Sequence, residues 1–221
     1  VDEFVILGEL SLDGEMRRVP GVLPIVLKCA ELGFRKCILP SCSANEAAQV
    51  DGIEVYGAKT ISQVVDILNR IPYTSSLIVK RDPASSFVPR FKNDFKNVVG
   101  QQFAKRGMEI AACGGHNILL TGPPGSGKSF ISSCLPSILP LMSREESLET
   151  TAIYSVAGLL EENNGLIVER PFRTPHNTSS VVAMVGGGPT ASPGEISLAH
   201  NGVLYLDEIT LFGSTVLDLL R

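Results

Sequence analysis

The sequence has no C-x-x-C pair, and its five cysteines (Cys29, Cys37, Cys42, Cys113 and Cys134) form an odd set. That argues against a zinc site and against a disulfide framework; the thiols read as small buried side chains in a reducing compartment. No apolar run approaches the roughly 18 residues of a membrane-spanning helix, so no membrane association is expected. The opening residues Val1-Asp2-Glu3-Phe4 lack the charged-then-apolar layout of a signal peptide, which points to a cytoplasmic protein. There is no excess of positive charge: 19 Lys and Arg face 23 Asp and Glu, for a net charge of −4. That balance excludes a uniformly basic nucleic-acid coat and leaves room only for a local basic patch. Internal repeats and low-complexity tracts are also absent. What remains is a soluble globular composition, 44% hydrophobic over 221 residues, enough for one large or two small domains.

The most informative stretch is Gly122-Pro123-Pro124-Gly125-Ser126-Gly127-Lys128-Ser129, which fits the phosphate-binding pattern G-x-x-x-x-G-K-[ST]. Ahead of it, Asn117-Ile118-Leu119-Leu120-Thr121 reads as a buried strand. Behind it, Ser129-Phe130-Ile131-Ser132-Ser133-Cys134-Leu135 reads as the first turns of a helix. The glycines let backbone N–H groups turn inward around phosphate oxygens, and the helix start adds a positive dipole end. In this pattern Lys128 reaches the β- and γ-phosphates of ATP, and the Ser129 hydroxyl holds Mg²⁺.

A second nucleotide element is Gly202-Val203-Leu204-Tyr205-Leu206-Asp207-Glu208, an apolar strand that ends in two carboxylates. Mg²⁺ takes hard oxygen ligands, which suits Asp207. Glu208 suits polarisation of the attacking water, a general-base role. Lys128, Asp207 and Glu208 are therefore the candidate catalytic residues.

The first third alternates strand and helix signals. Phe4 to Leu10 is a strand candidate, followed by an Asp13-Gly14 turn. A helix from Gly21 to Leu32 stops at Gly33; Lys36 to Pro40 and Ile53 to Tyr56 are short strands. Ser43-Ala44-Asn45-Glu46 and Thr60-Ile61-Ser62-Gln63 are capping-box patterns. The second opens a helix with Ile61, Val64, Val65, Leu68 and Ile71 on one face. The order suggests a compact α/β unit. Gly8-Glu9-Leu10-Ser11-Leu12-Asp13-Gly14, Pro20-Gly21-Val22-Leu23, Gly33-Phe34 and Ile38-Leu39-Pro40 resemble the last part of a Lon-protease-type domain. That resemblance raises a Ser–Lys peptidase as a rival. The segment where such proteases carry their lysine reads Gly21-Val22-Leu23-Pro24-Ile25-Val26, with no base in it, so a non-catalytic domain is expected.

Periodicity fades from Pro72 to Asn93, where Asp82-Pro83 and Val88-Pro89 punctuate a stretch carrying Lys80, Arg81, Arg90 and Lys92. It reads as a linker whose charges are either solvated or touch a phosphate backbone. The expected division is residues 1–71, a linker at 72–93, and a nucleotide domain at 94–221.

Within that domain, Ser143-Arg144-Glu145-Glu146 is a capping box opening a helix to about Leu160. Arg170-Pro171-Phe172-Arg173-Thr174-Pro175-His176 is a basic, proline-flanked turn. Arg170 and Arg173 can grip phosphate, or carboxylates of a neighbouring subunit, bidentately. Phe172 either stacks on a base or fills a core pocket. With His176 these are the candidate DNA or partner contacts. A metal site from His116, His176 and His200 is disfavoured by irregular spacing. Gly186-Gly187-Gly188 suggests a hairpin tip or a close backbone approach.

These blocks, with Gly115-His116-Asn117, Pro193-Gly194-Glu195-Ile196-Ser197-Leu198-Ala199-His200 and the nucleotide motifs, resemble the magnesium-chelatase-type AAA+ family. Joined to the Lon-like front piece, they look most like its ComM/YifB competence-protein branch. Three positions depart from the family pattern: Asn177 after His176, Ser129 where Thr is commoner, and Ile209-Thr210-Leu211-Phe212 without an acidic residue before Phe212. The resemblance implies an α/β fold, a P-loop AAA+ parallel-sheet core after a truncated Lon-like piece. In such ATPases the entry segment Asp94 to Gln101 packs beside the adenine, so Val98, Val99 and Gly100 become adenine-pocket candidates. The resemblance further implies ATP and Mg²⁺ as cofactors, a homo-oligomeric ring, commonly hexameric, and coupling of hydrolysis to DNA remodelling of the branch-migration type. Metal insertion into a porphyrin and protein remodelling are the alternatives. With no initiator Met and an end inside an apparent helix, the chain reads as part of a longer protein. By itself it is expected to bind nucleotide weakly and hydrolyse it poorly.

Overall fold

A computed structural model describes residues 3–81, 91–160, 165–188 and 191–220. The chain divides into two compact units, Val1–Ser86 with Leu148–Ile167, and Phe87–Ser147 with Val168–Arg221. Residues 148–167, in the middle of the expected nucleotide domain, thus count with the first unit.

The first unit is built on a parallel three-stranded sheet ordered β1-β4-β5, from β1 (Phe4–Ile6), β4 (Lys36–Pro40) and β5 (Glu54–Ala58). Between β1 and β4 the chain makes a two-stranded antiparallel hairpin, β2 (Glu9–Leu10) with β3 (Met16–Arg17), around the Asp13-Gly14 turn. Helix α1 (Val22–Glu31) follows, then α2 (Ala44–Ala47) after β4 and α3 (Ile61–Leu68) after β5. Parallel strands need such crossovers, and the crossovers cover the sheet on both faces. The period of two sorts the side chains. Cys37, Leu39 and Val55 join Val22, Leu23 and Val26 of α1 in one cluster. Ile38, Tyr56 and Ala58 join Val64 and Ile67 of α3 in another. The α3 face is narrower than the sequence suggests: Ile61, Val65 and Ile71 are about 40–50% exposed. Tyr56 and Ile67 close the core in their place.

Two further expectations change here. The Ser43 capping box does not form, for the Ser43 hydroxyl makes no cap hydrogen bond. Glu46, which should reach back to it, is 3% exposed and lies against Arg18. The linker reading begins too early for the packing: Pro72–Leu77 form a 3₁₀ helix, and Val79 N–H donates to the Val55 carbonyl. Leu77 and Ile78 pack on the Tyr56 cluster, an apolar attachment that a solvated linker would not have. Arg81 pairs with Asp51 at 2.9 Å. Residues 82–90 of that stretch lie outside the described residues.

The second unit is organised around short elements. A 3₁₀ turn (Phe95–Asn97) leads to α4 (Gln102–Gly114), and α5 (Lys128–Ser133) follows the glycine loop. The helix α6 (Arg144–Val156) contributes its first turn here; Ser143 and Glu146 close the expected capping box at 3.1 and 2.7 Å. Then come β6 (Phe172–Arg173), α7 (Val181–Val185), β7 (Gly186–Gly187), β8 (Ser192–Pro193), α8 (Glu195–Leu198), β9 (Val203–Leu204) and α9 (Ser214–Asp218). β6 and β9 pair in parallel, and β7 and β8 pair antiparallel.

Two buried clusters hold this unit. One joins Phe95, Val98, Met108, Ala112, Ile131, Cys134 and Leu135; the other joins Met184, Phe212 and Val216. Helix α4 turns Met108, Ala111 and Ala112 inward and leaves Phe103 96% and Ile110 51% exposed. The helix carries two apolar faces at helical spacing, and the one with smaller residues is the buried one. The segment 117–121 is not a strand: among the described residues nothing pairs with it, and Leu119 is 74% exposed. A strand exists only where a neighbour satisfies its N–H and C=O groups, and a local apolar run does not supply that neighbour.

Candidate functional site

The loop 122–129 turns through Gly125 and Gly127, whose φ angles of 75° and 85° are cheap only for glycine. Gly127 ends the loop by accepting the Ile131 N–H at 2.9 Å as α5 begins. The Lys128 ammonium folds over the loop and donates to the carbonyls of Gly122 and Pro123 at 2.8 and 2.9 Å. Gln101 steadies the far side by donating to the Ser126 carbonyl at 3.1 Å.

The carboxylate strand arrives by the β6–β9 pairing. Val203 N–H donates to the Pro171 carbonyl at 2.7 Å, and Tyr205 N–H to that of Arg173 at 2.8 Å. A Cβ on Gly202 would stand 2.2 Å from the Pro171 oxygen, so only glycine admits this approach. Alternation then sorts the strand. Leu204 and Leu206 enter the Met184 cluster, while Val203 packs on the Phe95 cluster. Tyr205 and Asp207 follow Val203 in the alternation and meet the loop. Ser129 Oγ donates to Asp207 Oδ2 at 3.1 Å across 78 residues of sequence. The Tyr205 hydroxyl donates to Asp207 Oδ1 at 3.1 Å and lies 3.3 Å from Ser129 Oγ. Burial raises the Tyr205 phenol above its ordinary value. Glu208 adopts φ 53°, a conformation uncommon outside glycine and often found at working sites.

These groups border a cleft of about 530 Å³ lined by Ser129, Asp207, Glu208, Tyr205, Phe172 and His176, among others. Phe172 stacks on Tyr205 with ring centres 5.9 Å apart and planes 18° apart, an arrangement worth about 1 kcal/mol beyond burial. His176 Nδ1 lies 2.7 Å from the Thr178 hydroxyl and 3.3 Å from the Thr178 backbone nitrogen, which fixes the ring at the cleft wall.

The arginines go elsewhere than the sequence suggests. Arg170 grips Glu146 bidentately at 3.0–3.1 Å and also donates to the Pro140 and Asn201 carbonyls at 2.7 Å each. Arg173 grips Glu195 through two 2.7 Å bonds. Both guanidiniums, offered by the sequence to DNA or to a neighbouring subunit, are thus committed to carboxylates of their own unit. The Ser143 N–H, with help from Arg170, holds the Glu146 carboxyl below its usual range. The adenine-pocket candidates also separate: Val98 is buried in the Phe95 cluster, Val99 is 91% exposed, and Gly100 is exposed beside it. Among the described residues no three His, Cys, Asp or Glu side chains gather as a metal cage. No helix of the described residues is long and apolar enough to cross a membrane.

Ser129, Asp207 and Glu208 are therefore brought together, and Phe172 and His176 border the same cleft; Lys128 does not line it, its ammonium lying against the Gly122 and Pro123 carbonyls. Tyr205 and Thr174 also line it and were not singled out by sequence; Asn177, which the sequence marked only as a departure from the family pattern, lines it too. The signal for Tyr205 was available: positions 205 and 207 share a face of any strand that presents Asp207.

A glycine loop with a lysine, opposed by a strand-end carboxylate, is the arrangement of a P-loop nucleotide-binding domain. The family described as "Magnesium chelatase, subunit ChlI" matches residues 94–221, and one described as "Subunit ChlI of Mg-chelatase" matches 1–43. The chain belongs to this magnesium-chelatase ChlI family. It is 44% identical over its whole length to an uncharacterized protein of Mycobacterium tuberculosis, covering 43% of that protein. It is 42% identical to competence protein ComM of Haemophilus influenzae, over 99% of this chain and 43% of ComM. It is 40% identical to the uncharacterized protein YifB of Escherichia coli, over 100% of this chain and 42% of YifB. The chain thus spans less than half the length of these relatives.

Proposed function

We propose that the chain forms the nucleotide-binding part of a Mg²⁺-dependent ATPase motor subunit that acts on DNA. The observation that carries the ATPase reading is the 3.1 Å contact between Ser129 Oγ and Asp207 Oδ2. It joins the end of the phosphate loop to the carboxylate strand with two hard oxygen donors side by side, the donor set that Mg²⁺ takes. Ser129 and Asp207 would hold the ion, and the ion would neutralise charge on the β- and γ-phosphate oxygens. The protein's own part is positioning. The loop amides cradle the phosphates, and Lys128 exchanges its two carbonyl partners for phosphate oxygens. Glu208, at the mouth of the same cleft, accepts a proton from the attacking water or orients it. Val98, Val99 and Gly100 are the candidates for the adenine side.

The DNA assignment rests on the likeness to ComM, which extends over both units and is not confined to the nucleotide domain. A homo-oligomeric ring, with an arginine from the neighbouring subunit completing each site, belongs to the same reading. The front unit is taken as a non-catalytic, Lon-like domain. The test is ATP hydrolysis by the full-length protein with and without single-stranded or branched DNA, alongside Lys128→Ala. Stimulation by DNA, abolished in the variant, is the expected result. Lys128-dependent hydrolysis indifferent to DNA would overturn the DNA assignment and leave metal insertion or protein remodelling as the coupled work.

A further inference from the structure

The hydroxyl of Tyr205 is not needed for packing. Its ring already has a partner in Phe172, and its backbone N–H is tied to the Arg173 carbonyl at 2.8 Å. A phenylalanine would fill the same place in the stack. The oxygen instead stands 3.1 Å from Asp207 Oδ1, while Ser129 takes Oδ2 at 3.1 Å. Each carboxylate oxygen therefore has its own donor, and the 3.3 Å Tyr205–Ser129 distance closes a triangle of three oxygen-bearing groups. A carboxylate held at one oxygen only can swing about its Cβ–Cγ bond. One held at Oδ1 by a group on a rigid arm presents Oδ2 in a fixed direction. The arm is rigid here for two reasons: strand pairing fixes its backbone, and ring stacking fixes its side chain.

We propose that Tyr205 is a positioning residue for the divalent-cation seat: its hydroxyl holds Asp207 through Oδ1 so that Oδ2 and the Ser129 hydroxyl face the ion together. This rests on the ATPase reading above. Groups that orient a metal ligand typically set metal affinity by about 10- to 100-fold when removed. Tyr205→Phe isolates the effect, because it deletes one oxygen and keeps the ring.

The probe is Mn²⁺, followed by loss of its free-ion paramagnetic resonance signal as it binds the full-length protein in the presence of a non-hydrolysable ATP analogue. In Tyr205→Phe the Mn²⁺ dissociation constant is expected to rise about tenfold. Binding of a fluorescent ATP analogue in EDTA and the thermal midpoint should stay at wild-type values. Tyr205→Leu, which loses ring and hydroxyl, should bind Mn²⁺ no better than Tyr205→Phe. Equal Mn²⁺ affinity in wild type and Tyr205→Phe would overturn the proposal while leaving the ATPase reading intact. So would a loss confined to Tyr205→Leu, which would assign the effect to stacking. Failure of the wild type to bind the nucleotide at all would overturn both.

Discussion

In the first unit Val22, Leu23, Val26, Cys37, Ile38 and Leu39 are fully buried around a three-stranded sheet. In the second, Val99, Phe103 and Leu119 stand 91%, 96% and 74% exposed. The first unit's long-range order comes from apolar side chains sorted by strand alternation onto two faces. The second unit adds to its two apolar clusters polar links that are far apart in sequence: Arg170 with Glu146, Arg173 with Glu195, and Ser129 with Asp207. The difference bears on function. Apolar packing fills space and tolerates small shifts of its members. Charge-assisted bonds fix a group's distance and angle, which a site must do, but they fail when a single atom is removed.

Four measurements sharpen or break that contrast. The largest expected effect is in the apolar unit: Leu23→Ala should cost about 3 kcal/mol, as a large-to-small change in a closed core does. Phe103→Ala should stay within about 0.5 kcal/mol. Chemical denaturation of both variants checks this, and similar losses would erase the distinction. Next is Gly202→Ala, whose Cβ must displace the Pro171 carbonyl and so part β6 from β9. A loss above about 2 kcal/mol is expected. Amide exchange should quicken at Val203 and Tyr205 and stay unchanged at Ile38. Exchange quickening equally at Ile38 would mean that the units do not answer separately.

Smaller again is Arg170→Lys, which keeps the charge and loses the two-pronged grip on Glu146. A cost of about 1–2 kcal/mol follows from the loss of charge-assisted hydrogen bonds, read from a thermal midpoint. The smallest effect concerns pH and has opposite signs in the two units. Burial raises the Glu46 carboxyl above its ordinary value, against the lowering influence of Ser155 and Arg18. A raised acid stabilises the fold while protonated, so its contribution fades as pH rises through the folded value. Glu146 is lowered, so its contribution is present above the ordinary carboxylate range and fades as pH falls below it. Stability measured against pH should therefore lose its descending part in Glu46→Gln and its acid-side part in Glu146→Gln. The reverse pairing would contradict the assignment.

What could be read from sequence follows the same division between local and distant causes. The loop 122–129, the capping box at Ser143 and Glu146, and strand β4 are written in adjacent residues, and each formed. The Ser43 capping box failed because Glu46 was drawn toward Arg18 and Ser155, partners remote in sequence. The strand at 117–121 failed because pairing depends on a neighbour. At the site, motif spacing pointed to Lys128, Ser129, Asp207 and Glu208. It could not assign Arg170 and Arg173 to Glu146 and Glu195, since ion pairs 22 and 24 residues apart leave no local pattern. Tyr205 was hidden by its company: in an apolar run it reads as one more core residue.

Calorimetric titration with ATP reads phosphate binding at loop 122–129. In the presence of Mg²⁺, wild-type full-length protein should bind ATP, and Lys128→Ala should bind it at least about tenfold more weakly, because a principal cationic partner of the phosphates is gone. Equal affinity in the two proteins would contradict the account.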